Sequence, residues 1–101
     1  MGWSISHGGT SRGPYSYTSV DNLFARLKKA ASWGQRRTLK PLLSQRSGEA
    51  YFSVEPRTAA DIGATLIDVA LFLPGEWRDM AVQIGQSALR AASANEQWRW
   101  S

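Results

Sequence analysis

A chain of 101 residues, 43% of them hydrophobic, has the size of one domain and buries roughly 65% of the surface its unfolded form exposes, with no need of a metal or disulfide. It has no cysteine and one histidine, which excludes a disulfide scaffold, thiolate chemistry and a histidine–cysteine metal site, and fits a reducing cytoplasm. The formal net charge of +4 divides unevenly: residues 1–50 hold eight basic and two acidic residues, a balance of +6, whereas residues 51–101 hold four and six, a balance of −2.

In chain order, W3-S4-I5-S6 alternates as a strand does, and a strand is expected over about 2–6. From His7 to Tyr17 the glycines and Pro14 read as an irregular loop. Thr18 or Ser19 caps a helix over about 19–31, with Val20, Leu23, Phe24, Leu27, Ala30 and Ala31 as its apolar positions. A second helix is expected over about 35–46, burying Leu39, Leu42 and Leu43, with Pro41 delaying or kinking its regular part and Gly48 as a stop. Y51-F52-S53-V54 predicts a strand at about 50–54. Pro56 then suits the first turn of a helix over about 57–72, expected to be the most buried of the four. Past Pro74-Gly75 a fourth helix is expected over about 75–94, with Glu76 and Asp79 in its first turns and Trp77, Met80, Ala81, Ile84, Ala88 and Ala91 facing inward. Asn95 offers a left-handed stop before a last strand at about 97–100.

The expected fold is therefore α+β: a small three-stranded sheet formed with both chain termini and packed against four helices, with 1–101 as a single domain. The stretches 1–54 and 51–101 echo each other as strand, helix, helix, the pattern of a degenerate repeat, although helical bundling alone gives the same order.

The basic cluster is the first candidate for function. Arg26, Lys28 and Lys29 lie on the first helix and Arg36, Arg37 and Lys40 on the second, and long cationic side chains on helices bind phosphates. Tyr15, Tyr17 and His7 lie nearby for stacking on bases. The short A-S-W-G connection invites comparison with a helix-turn-helix, but the second helix is proline-interrupted and leucine-rich rather than lined with base-reading side chains. A charge run of this size is also the ordinary solvated face of a domain.

Other groupings carry less. Ser4, Ser6 and His7 combine nucleophile and base types, yet neighbours on a strand point to opposite faces, so Ser6 aims away from His7. Asp61 and Asp68 share a helix face about 10 Å apart along the axis, too far for one shared metal or a glycosidase pair. Five tryptophans are a surplus for this length. Trp33 and Trp77 are expected to anchor helix starts against the sheet. Trp98 and Trp100 share one strand face, which is either core or interface. With Tyr15 and Tyr17 they form the candidate protein interface, since aromatic anchors carry protein contacts.

The pieces M1-G2-W3-S4-I5-S6-H7-G8, W33 with P41-L42-L43, S47-G48-E49 and the tail E96-Q97-W98-R99-W100-S101 resemble a group of small uncharacterised proteins from high-GC actinomycetes. The likeness covers most of the chain. It implies an accessory or regulatory protein of mobile-element or phage origin and brings no activity to any residue. The leading expectation is a non-enzymatic regulatory or adaptor module acting through contact with a protein partner or a second copy of itself. The alternative is a nucleic-acid-binding protein that uses the basic helices at 22–46. No catalytic residue, cofactor or metal site is expected. The opening turns polar after five residues and the longest apolar block, around 69–75, is shorter than a membrane span, so no membrane contact and a cytoplasmic location are expected.

Overall fold

The computed structural model of the chain describes residues 2–7, 10–45 and 51–101. Strand β1 (Gly2–His7) is followed by β2 (Thr10–Ser16), helices α1 (Tyr17–Ala30) and α2 (Trp33–Leu43), β3 (Phe52–Val54), helices α3 (Pro56–Ala70) and α4 (Gly75–Ser93), and β4 (Trp98–Trp100). The three-stranded sheet expected from the sequence is corrected to four strands, all antiparallel, in the order β2-β1-β4-β3.

The added strand is β2, which composition disguised as a loop. It lies at the edge of the sheet, where a proline's missing N–H is tolerated. Trp3 pairs with Tyr15 and Ile5 with Arg12, so Gly13 and Pro14 together stand opposite Ser4. This two-against-one arrangement is a β-bulge, and it breaks the alternation by which a strand is recognised.

Strand β4 lies between β1 and β3. Trp100 pairs with Ile5 on one side and Phe52 on the other, and Arg99 with Ser6 and Ser53. Backbone bonds between Ser4 and Ser101, at 2.7 and 2.8 Å, extend the β1–β4 ladder.

One face of the sheet is core. Trp3, Ile5, Val54, Trp98 and Trp100 are all buried. Trp100 is the hub: its ring stacks on Phe52 at 5.4 Å and meets Trp98 and Trp3 edge-on at 5.3 and 5.8 Å, the offset and T-shaped geometries that aromatic quadrupoles favour.

Helices α1 and α4 pack against this face, α3 packs on α4 and α2 on α3, and the first two helices are started by side-chain caps. Ser16 caps α1 by accepting the Ser19 N–H at 3.0 Å, two to three residues ahead of the expected cap, because β2 runs directly into the helix. Ser32 and Gln35 form a reciprocal capping box that starts α2 at Trp33 rather than at 35. Pro41 falls in the last turns of α2 and does not divide it. The stop expected at Gly48 lies outside the described residues. Helices α3 and α4 approach so closely that Gly63 and Gly85 face each other backbone to backbone. Asn95, at φ 55°, turns the chain from α4 toward β4.

Candidate functional site

Helix α2 is amphipathic, and its outer stripe is the feature of chemical interest. Leu39, Leu42 and Leu43 are buried. Trp33, Arg36, Arg37 and Lys40 are exposed and follow the i, i+3, i+4, i+7 spacing of one helix face. Trp33 stands nine residues from Leu42, about two and a half turns, which places the two side chains on opposite sides. Its exposure is 71%, so the expectation that it anchors the helix start against the sheet is corrected. Extending the helix back to the Ser32 cap puts Trp33 in phase with the cations instead of the leucines.

The Arg37 guanidinium sits 5.7 Å from the Trp33 ring centre, within cation–π range. Trp33, Arg36, Arg37 and Lys40 line one open depression. Arg36 and Lys40 also border a second, completed by Lys28 from α1 with Leu43 and Ser44. Among the described residues, no carboxylate forms an ion pair with Lys28, Arg36, Arg37 or Lys40. The stripe is thus a ridge of positive charge with one bare indole at its end.

The remaining candidate residues divide. Arg26 lies 4.9 Å over the ring of the half-buried Trp77 and belongs to the α1–α4 junction. Lys29 is exposed on α1 and lines neither depression. Tyr15 donates its hydroxyl hydrogen to Gln83 Oε1 on α4 at 3.2 Å, and Tyr17 meets Trp3 edge-on at 5.6 Å. Both tyrosines are half-buried.

Trp98 and Trp100, at 0% and 1% exposure, are packed within the chain's own core. Ser4 and Ser6 lie half-buried on the face of β1 opposite Trp3 and Ile5, whereas the His7 side chain lies outside the described residues. Asp61 and Asp68 are exposed on α3. Among the described residues no cluster of three or more His, Asp or Glu side chains could hold a metal ion, and no helix is long and apolar enough to cross a membrane.

Two exposed groups escaped sequence reasoning. Leu71 and Phe72, at 67% and 72% exposure, lie just beyond the end of α3, which was expected to run on through them. Tyr51, at 78%, precedes β3. The Trp33 stripe did carry a signal: Ser32 and Gln35 have capping-box spacing, and starting the helix there fixes the phase. Nothing comparable marks Tyr51.

A family model described as a domain of unknown function (DUF7739) matches residues 6–101. No curated protein and no solved structure matches the chain.

Proposed function

The chain belongs to the DUF7739 family, and we propose that it is a non-enzymatic cytoplasmic protein that binds single-stranded nucleic acid through the outer stripe of α2. One observation supports this above the others: an indole 71% exposed at the end of a row of cations that have no carboxylate partner among the described residues. Exposed aromatics stack on bases of any sequence, and neighbouring Arg and Lys side chains neutralise the phosphates between them. Trp33 offers a flat ring and one N–H donor, which suits stacking rather than the bidentate reading of base edges in a duplex groove. Arg36 and Lys40, one helical turn apart, are spaced about 6 Å along the axis and can engage successive phosphates.

The test is fluorescence anisotropy with labelled oligo-dT. Binding is expected at low salt, weakening by about 0.7 log units per decade of salt for each phosphate contacted. Trp33→Ala is expected to weaken it roughly five- to 150-fold, by the ~1–3 kcal/mol that stacking of a base contributes. Neutralising Arg36, Arg37 and Lys40 together is expected to abolish it. Absence of binding at the lowest salt sinks the proposal.

A second function, contact with another copy of the chain, draws support from Leu71 and Phe72, exposed side by side at the α3–α4 turn, and from the opposite charge balance of the two halves. It no longer draws on Trp98 and Trp100. Sedimentation at increasing concentration tests it: a rising mass that Phe72→Ser abolishes supports association, and a constant monomer mass removes it.

A further inference from the structure

The sheet face turned away from the helices carries a second cationic position. Alternation along the strands directs Ser4 and Ser6 of β1, Ser53 of β3 and Arg99 of β4 to this side. Register sets Ser6, Arg99 and Ser53 in one row across three strands, with Arg99 in the middle. Arg99 is exposed and has no ion pair among the described residues. A guanidinium flanked by small hydroxyl-bearing residues is equipped to take an anionic oxygen, of a phosphate or a carboxylate. Beside it an open depression is lined by Tyr51, Ser53, Gln97 and Ser101 as well as Arg99 itself, and Tyr51 is as bare as Trp33. The pairing of an exposed ring with a cation that has no carboxylate partner among the described residues, seen on α2, therefore occurs a second time, on another layer of the fold.

The two places are connected. The depression at Arg99 shares Phe52 and Ser53 with another that crosses the edge of the sheet to Pro41 and Gln45, at the end of α2. Ser44, next in sequence to Gln45, borders the basic depression of Arg36 and Lys40. From Trp33 to Gln45 is about 18 Å of α2 at 1.5 Å per residue, and the step from β3 to β4 adds about 4.8 Å. The track is thus at least about 23 Å long before the crossing from Gln45 to β3 is added, or about seven nucleotides or more of a stacked strand at ~3.4 Å each.

We propose that one nucleic-acid strand follows this track from Trp33 to the open face of the sheet, where Arg99 takes a phosphate and Tyr51 stacks a base. This rests on the α2 reading above and extends it to a second contact. Among the described residues that line these depressions, Glu55 on the sheet edge is acidic, and it opposes the strand there.

The experiment measures affinity for oligo-dT of increasing length, from three to twelve nucleotides, at fixed low salt. In the native chain affinity climbs until at least about seven nucleotides and levels once the track is filled. Tyr51→Ala combined with Arg99→Gln is expected to make it level at a shorter length and to weaken the 12-mer about tenfold or more. Both residues are exposed, and an unchanged circular dichroism spectrum excludes misfolding. Glu55→Gln is expected to strengthen the 12-mer several-fold. Length dependence and 12-mer affinity that are unchanged in the Tyr51/Arg99 variant, while Arg36→Gln with Lys40→Gln still weakens every length, overturn the track and leave the α2 site standing. Failure of the native chain to bind any length overturns both.

Discussion

Ser87 on α4 shows how much a single hydroxyl can hold. It is 1% exposed, accepts the indole N–H of Trp98 at 2.9 Å and donates to the Ile84 carbonyl at 2.8 Å. A tryptophan can therefore sit at the bottom of the core with its polar atom satisfied. Ser87→Ala removes the acceptor and leaves a buried donor without a partner, a loss of about 1–3 kcal/mol that urea denaturation will report as a lower midpoint. A loss below ~0.5 kcal/mol would show that the indole finds another acceptor. Trp100, two residues on, has a buried N–H with no partner among the described residues, and its ring packs against those of Phe52, Trp98 and Trp3. That Trp98 and Trp100 share a face was legible from their spacing. Alternation says that two residues point the same way and is silent on what they point at, so core and interface stayed equivalent until the helices were in place.

Among the elements, α3 and α4 form the tightest pair. A Cβ on Gly63 would lie 2.7 Å from the Gly85 carbonyl oxygen, and one on Gly85 would lie 2.9 Å from that of Gly63. Backbone cannot move aside as a flexible side chain can, so the helices must separate to admit a methyl group. Gly63→Ala and Gly85→Ala are each expected to destabilise by about 1–3 kcal/mol, although alanine is the better helix former by roughly 1 kcal/mol. Gly34 on α2 is the control: a Cβ there meets nothing within 4 Å, and Gly34→Ala is expected to stabilise by about 0.4–1 kcal/mol. Thermal unfolding of the three variants should move the midpoint in opposite directions; a rise at Gly63 would mean that the helices tolerate the added bulk. All four helices were legible from periodicity and punctuation. Strand β2 was not, since its bulge at Gly13 and Pro14 erases alternation and its edge position permits the residues that usually argue against a strand.

For the molecule as a whole, the last strand matters out of proportion to its length. β4 is three residues long, yet it joins the β1–β2 hairpin to β3 and supplies two of the largest buried side chains. Deleting residues 98–101 divides the sheet and empties the centre of the core. The truncated chain is expected to lose cooperative unfolding and amide shift dispersion, and a well-dispersed spectrum from it would show that the helices fold without the strand. The sequence by itself determined the helices, three of the four strands and, Trp33 apart, the face each one buries, because these follow from local spacing, capping residues and the chemistry of Pro and Gly. Only the tertiary structure decided that the paired indoles are core, that Trp33 is bare, and that open depressions run from the end of α2 over the sheet edge to Arg99. The physical reason is that burial belongs to the space between elements: a periodic pattern names the face of a helix or strand, and what covers that face is set by segments distant in the chain.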